Sequence, residues 1–286
     1  MLIETKDLSY TYMPGTPFEV EALKGVNIGI EQGEFIGIIG ETGSGKTTLI
    51  QHFNGLLKPT AGEIFIDGQN IWDKDTDLRK LRAQIALLFQ FPEHQLFEET
   101  VFKDVSFGPK NLGLENAELR KRVLEGLRLV GLDAEEYAER SPFSLSGGEK
   151  RRVAMAGILA MQPEAIILDE PTAGLDPAGR RSFLEQIKRL HREKKITIIM
   201  VTHNMEEASL LAGRLFVLSR GSLVLQGSPA EIFQSAETIK EIGLDLPPLT
   251  TLLQELKKSG KNIRTDIFTV EKAGKEILNL YRRCRR

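Results

Sequence analysis

The chain has 286 residues, 41% of them hydrophobic and 27% charged, with a formal net charge of -2. That length suffices for one large domain of about 200 to 250 residues and a smaller appendage, and the slightly negative balance excludes a protein that coats nucleic acid through sheer positive charge. The single cysteine, Cys284, excludes an intramolecular disulfide and fits a reducing compartment.

The N-terminus, "MLIETKDLSY", has no basic segment followed by an apolar core and does not read as a secretory signal. Alternating segments "LIETKDLSYTY", "VNIGIEQ" and "GEIFIDG", separated by turn residues, predict an antiparallel layer. Four short runs rich in Ile, Val, Leu and Phe ("EFIGIIG", "IALLFQ", "AIILDE", "ITIIMVTH") predict buried parallel strands joined by helices, hence an α/β core. None approaches the ~20 apolar residues of a membrane span. Between about 100 and 160 the pattern turns helical ("NAELRKRVLEGLRLVGL", "GGEKRRVAMAGILAM"), which predicts a helical subdomain inserted between core strands. After Pro229 a Pro-Pro break at 247–248 with helical flanks predicts a small extension. The division expected is a catalytic domain over 1–235 and an extension over 236–286. The amphipathic helix "LTTLLQELKK" in that extension needs cover for its apolar face, from this chain or from another in a dimer. The basic cluster "RRCRR" at 282–286 reads as a frayed, solvated terminus.

The stretch "GETGSGKTT", residues 40–48, follows an apolar strand and meets the pattern G-x-x-x-x-G-K-[ST] with Gly40, Gly45, Lys46 and Thr47. A glycine-rich turn closes its backbone N–H groups around phosphates, and the helix beginning near Lys46 points its positive dipole end at them. Glu41, Thr42, Gly43, Ser44 and Thr48 complete the cradle. Lys46 would reach the β- and γ-phosphates of a nucleoside triphosphate, and the Thr47 hydroxyl would ligate Mg²⁺. At the end of another strand, "AIILDE" supplies Asp169 as the second magnesium anchor and Glu170 to polarise the attacking water. Adjacent residues of an extended segment face different ways, so the two carboxylates can hold different jobs. His52, His94 and His191 have no metal-site spacing, and His52 and His191 read as ordinary helix residues.

"SLSGGEKRR", residues 144–152, resembles the signature of ATP-binding cassette (ABC) ATPases, about twenty residues before "AIILDE" as in that family. The resemblance implies an α/β P-loop fold with an antiparallel β subdomain and the inserted helical subdomain. It also implies a composite site, in which Ser146, Gly147 and Gly148 touch the γ-phosphate of ATP held by another subunit. By the same resemblance Tyr12 stacks on adenine, with Tyr10 as the fallback, and Gln90 senses Mg²⁺ and the attacking water. Asp176 closes the "AGLD" loop that crosses the dimer interface, and His203 is the switch histidine at the γ-phosphate.

Within the family, "FQFPEHQLFEETVFKDVSFGPKNLGL" (89–114) resembles the glutamine loop and following helix of energy-coupling factor (ECF) transporter ATPases, a group that includes cobalt and nickel importer ATPases. "FPEHQLFEETV" is similar to the second, A-prime-type paralogue of the two such ATPases. The implied function is ATP hydrolysis that drives uptake of a vitamin or similar micronutrient. The implied partners are a paralogous cassette ATPase or a second copy, a transmembrane scaffold protein docking at about residues 90–108, and, indirectly, a substrate-binding membrane protein. The implied location is peripheral, on the cytoplasmic face of the cell membrane. The alternative is the ATPase subunit of another ABC importer, for a metal ion or an amino acid. A cassette acting on ribosomes or nucleic acid would carry long coiled-coil insertions or a second phosphate loop, and this chain has neither. From the residues themselves, Leu96, Phe97, Val101, Phe102, Val105 and Phe107 with Glu93, Glu98, Glu99 and Asp104 predict an acidic-rimmed apolar groove for basic, amphipathic helices of that partner.

Overall fold

A computed structural model describes residues 1–284, with the side chains of residues 283 and 284 outside the description. Of the basic cluster at 282–286, residues 282–284 end a helix and residues 285 and 286 lie outside the described residues.

In chain order the strands are β1 (Ile3–Tyr12), β2 (Val20–Ile30), β3 (Phe35–Gly40), β4 (Ala61–Ile66), β5 (Gln69–Asn70), β6 (Ile85–Leu88), β7 (Ala165–Asp169), β8 (Thr197–Val201), β9 (Arg214–Ser219) and β10 (Ser222–Gly227). The helices are α1 (Lys46–Phe53), α2 (Leu78–Gln84), α3 (Val101–Asn111), α4 (Asn116–Leu129), α5 (Ala134–Tyr137), α6 (Gly147–Ala160), α7 (Pro177–Lys194), α8 (Met205–Leu211), α9 (Pro229–Gln234), α10 (Ala236–Glu241), α11 (Pro248–Lys258) and α12 (Val270–Cys284).

The strands form two sheets. A four-stranded antiparallel sheet runs β2-β1-β4-β5, and a six-stranded sheet runs β10-β9-β3-β8-β7-β6. In the larger sheet β9, β3, β8, β7 and β6 are parallel, and β10 closes one edge antiparallel to β9. Period-2 alternation of side chains divides the parallel strands between two cores. Phe35, Ile166, Leu168, Ile198, Met200, Leu215 and Val217 share one core with the helical subdomain and with α7, α8 and α9. Ile36, Ile38, Ile167, Ile199, Val201, Phe216 and Leu218 pack on the other face with α1 and the antiparallel sheet. Continuous apolar runs are what a sheet covered on both faces requires, and the four apolar runs form β3, β6, β7 and β8.

The same parity carries into the site. Ala165 and Ile167 face α1, so Asp169, two residues further along β7, faces it too. The helical subdomain, α3 to α6, rests on the opposite face through Val101, Val105, Val123, Leu127, Val153 and Met155.

Ile239, Leu244 and Leu246 still belong to the large core, whereas Leu253, Ile263, Ile267 and Ala273 form a third, small one beyond the Pro-Pro break. The apolar face of α11 is thus covered from within the chain, by the 263–267 segment and α12.

Candidate active site

The phosphate loop is the connection between β3 and α1. At Gly45 the backbone takes φ 100°, and a Cβ there would lie 2.5 Å from the Ala22 carbonyl oxygen; at Gly40 it would lie 2.3 Å from the Leu218 carbonyl oxygen. Only glycine fits either position. Thr42, Gly43 and Thr47 are exposed, while Ser44 and Thr48 are buried beneath them. The Gly221 N–H donates to the Ser44 carbonyl at 3.1 Å, which ties the loop to the β9–β10 turn. Glu41 accepts from the Ser219 hydroxyl at 3.3 Å.

Lys46 Nζ folds over this loop and donates to the carbonyls of Gly40 and Glu41, each at 2.9 Å, and to Ser44 Oγ at 3.4 Å. Burial pushes the ammonium pKa down, and the nearby carboxylates of Glu170, Asp169 and Glu41 oppose that fall. The cation is held by neutral oxygens in a half-buried place, which leaves its charge free for an anion entering the loop.

Thr47 Oγ1 donates to Asp169 Oδ2 at 3.4 Å. Burial, and then the charge of Glu170, push the Asp169 carboxyl above its usual range. A hydroxyl and a carboxylate side by side are hard oxygen donors, suited to Mg²⁺ completed by phosphate and water rather than to an all-protein cage. Consistently, the described residues contain no cluster of three or more His, Cys, Asp or Glu side chains able to hold a metal.

Glu170 adopts a left-handed backbone, φ 47°. Its N–H donates to the Val201 carbonyl at 3.0 Å, joining the ends of β7 and β8. A non-glycine residue in this region carries strain of order 1 kcal/mol or more and persists where the surroundings fix it. The turn sets Glu170 Oε2 2.8 Å from His203 Nδ1. Glu170 is mostly buried and His203 is 76% exposed, so the pair opens to solvent on the histidine side. Gln90 is exposed two residues past Leu88, which pairs with Leu168 next to Asp169. Five sequence-selected residues, Lys46, Thr47, Asp169, Glu170 and His203, therefore meet at the ends of β3, β7 and β8.

Tyr12 ends β1 with an exposed ring, and its hydroxyl lies 3.2 Å from Thr48 Oγ1. Tyr10 is half-buried and packs edge-on against both Tyr12 and His52. Of the two tyrosines it is Tyr12 that presents a free face beside the loop. His52 and His191 stand on helices as read: His52 Nδ1 is 2.7 Å from the Thr48 carbonyl, and His191 Nδ1 is 3.0 Å from that of Ile196.

Ser146, Gly147 and Gly148 are exposed at the start of α6. Ser146 and Glu149 form a capping box. Tyr137 donates to Glu149 at 2.6 Å, and with Ser146 it holds that carboxyl down at about 2. The two bare glycines have open space where a side chain would be, and as the first residues of α6 their N–H groups have no intrahelical acceptor. Asp176, exposed, caps α7 by accepting from Gly179 N–H.

Some residues around the centre escaped the sequence reading. Thr172 donates to buried Glu207, which also stands 3.3 Å from Arg180 Nε. Burial raises the Glu207 carboxyl above its usual range. Arg151, inside the signature helix, is buried against Glu93.

A cleft lies where the docking groove was expected, and its membership differs. A cleft of about 540 Å³ opens between α2, α3 and α6, lined among others by Leu96, Phe97, Phe107, Ile158 and Met161. Val101 and Val105 do not line it; they are buried in the core of the helical subdomain, and Phe102 packs against that core. Nor is the rim acidic. Glu93 turns inward to Arg151, Glu99 pairs with Lys103, and Asp104 accepts from the N–H groups of Phe97 and Glu98. Charge at the cleft comes from Arg79, Arg82 and Asp104. A helix buries one side and the sequence listed both.

Comparison with known proteins agrees with this geometry. Residues 23–173 match the ABC transporter family model. The chain is 52% identical to the energy-coupling factor transporter ATP-binding protein EcfA2 of Clostridium perfringens over 99% of both chains, and 51% identical to that of Clostridium tetani over 98% of both. Among solved structures, cbiO1 from Clostridium perfringens, part of the ABC transporter complex cbiONQ, superposes with a TM-score of 0.74 at 41% identity, covering 88% of this chain and 98% of that one. The cassette MJ0796, in a dimeric post-hydrolysis state bound to ADP and Pi, superposes with a TM-score of 0.70 at 34% identity, covering 80% and 99%. With a phosphate loop, paired carboxylates and a signature helix in one cassette, and full-length relatives at half identity, the chain belongs to the ABC transporter ATP-binding proteins, in the energy-coupling factor group.

Proposed function

We propose that this chain is the ATP-hydrolysing motor of an energy-coupling factor importer, bound peripherally at the cytoplasmic face of the membrane through partners. The observation that carries the reading is the convergence of Lys46, Thr47, Asp169, Glu170 and His203 at adjoining strand ends. ATP phosphates would replace the carbonyl oxygens now holding Lys46, and the loop N–H groups would enclose them. Thr47 and Asp169, seconded by Gln90, would hold Mg²⁺, which when bound neutralises charge on the phosphates. Glu170 then orients the attacking water and takes up its proton, while His203, 2.8 Å from the Glu170 carboxylate, reaches the γ-phosphate from its exposed side. Tyr12 supplies the stacking face for adenine.

Ser146, Gly147, Gly148 and Asp176 stand open on this chain and would complete the ATP site of a second cassette, a paralogue or another copy. ATP then clamps two cassettes, and hydrolysis releases them. No helix among the described residues is long and apolar enough to cross a membrane. The work therefore passes to a membrane scaffold, for which the Leu96, Phe97 and Phe107 cleft is the dock; through it the assembly would serve a substrate-binding membrane protein for a vitamin or similar micronutrient. The test is purification of the tagged chain from its native membranes in mild detergent, with mass spectrometry of what accompanies it. A second cassette ATPase and a multi-span scaffold are expected. Recovery with a permease of another type would keep the ATPase and overturn the partner.

A further inference from the structure

Arg151 lies on α6 five residues beyond Ser146, with a side chain only 3% exposed. Its Nε and Nη2 donate to the two carboxylate oxygens of Glu93, at 3.1 and 2.9 Å. Nη1 donates to the carbonyls of Pro171 and Ala173, at 3.0 and 3.1 Å, and Nη2 reaches Ala173 as well, at 3.1 Å. The guanidinium thereby spans three segments: the signature helix, the loop three residues past Gln90, and the turn between Glu170 and Asp176. Burial pushes the Glu93 carboxyl up, and the Arg151 hydrogen bonds, a backbone N–H and the charges of Arg151 and His94 together more than offset it, leaving its pKa below the usual value.

The same loop and turn touch at a second point. Phe91 is held in a left-handed conformation, φ 55°, and a Cβ on Gly174 would stand 3.3 Å from its ring. A planar fork with two parallel bonds to a carboxylate resists both sliding and rotation, which a lysine at the same place does not. The segment next to this lock, Leu96 and Phe97, lines the cleft between α2, α3 and α6.

We propose that Arg151 and Glu93 are positioning residues that lock the Gln90 loop to the Glu170–Asp176 turn, so that a displacement of residues 91–97 by the membrane partner reaches the hydrolytic centre as one rigid movement. This rests on the motor reading above. Neither residue touches nucleotide; both act through Gln90, Glu170 and Asp176.

The experiment compares the assembly purified from native membranes as wild type, Arg151→Lys, Glu93→Gln and the double variant, measuring kcat, KM for ATP and thermal midpoint. Each single variant should lose about tenfold or more in kcat with KM within about twofold, and the double should be no worse than the poorer single, because the pair acts as a unit. A merely structural pair would lower the midpoint while folded enzyme keeps its wild-type kcat, and that result would overturn the proposal. Should Arg151→Lys fail to fold, the near-isosteric Glu93→Gln decides alone. Glu170→Gln is assayed alongside: its inactivity together with wild-type kcat in both lock variants rejects the lock only, whereas turnover by Glu170→Gln rejects the motor reading itself.

Discussion

Asp169 shows how burial adjusts one residue for its task. Its carboxyl is held above the usual carboxylate range by burial and by neighbouring Glu170, so in the nucleotide-free protein it keeps its proton to a higher pH than an exposed aspartate near ~4. A protonated carboxyl does not bind a cation. Magnesium-dependent ATP binding should therefore weaken as pH falls, with an onset above ~4, and higher magnesium should move that onset downward because the ion competes with the proton. Calorimetric titration across pH at two magnesium concentrations checks this; an onset indifferent to magnesium would mean that Asp169 is no ligand. Lys46 was legible because its motif fixes both identity and spacing. Arg151 was not, because charged residues on a helix are usually solvated. Its signal was positional: Arg151 precedes Met155 and Leu159 at four-residue spacing, and both are buried, so an arginine occupies an apolar stripe.

At the scale of elements, α3 and the loop before it carry the proposed dock. Phe97 and Phe107 are 57% and 49% exposed and meet ring to ring at 5.2 Å, which is apolar surface left without cover in this chain. Replacing both by aspartate should leave ATP affinity within about twofold and remove the membrane scaffold from the purified assembly, since burying an unpaired charge costs several kcal/mol. Retention of the scaffold by that variant would move the dock elsewhere. Four of the five parallel strands, β3, β6, β7 and β8, were readable because each is an uninterrupted apolar run. By contrast β9 and β10, which complete the large sheet, were not read: Arg214 opens one, and the other is an edge strand whose burial alternates only weakly. The groove was read with too many members because helical spacing alone does not tell which stripe of α3 the subdomain consumes; Val101 and Val105 went inward. The acidic rim failed for a related reason. A carboxylate beside an apolar run reads as surface, yet Glu93 has a buried cation and Asp104 has two backbone N–H groups.

For the whole molecule, the two cores on either face of the six-stranded sheet make the parallel strands a rigid plate, and the residues proposed for phosphate and water chemistry on this chain's own nucleotide sit at one end of it or on the loops leaving that end. The signature residues Ser146 to Gly148 and the cap Asp176 stand open elsewhere on the chain. On the proposed reading, one chain thus carries two unlike parts of a site completed by two cassettes. The small third core beyond the Pro-Pro break buries Leu253, Ile263, Ile267 and Ala273 within the chain, while Leu252, Val270 and Leu278 stay exposed. The central claim is that Glu170 activates water in an ATP site closed by a second cassette. It is tested most directly by the Glu170→Gln assembly with saturating ATP and magnesium, following phosphate release together with the oligomeric state by light scattering. The account predicts ATP binding at wild-type affinity, hydrolysis lowered by about 100-fold or more, and cassettes held closed as a pair; phosphate release at the wild-type rate, or a variant that never pairs with ATP bound, would contradict it.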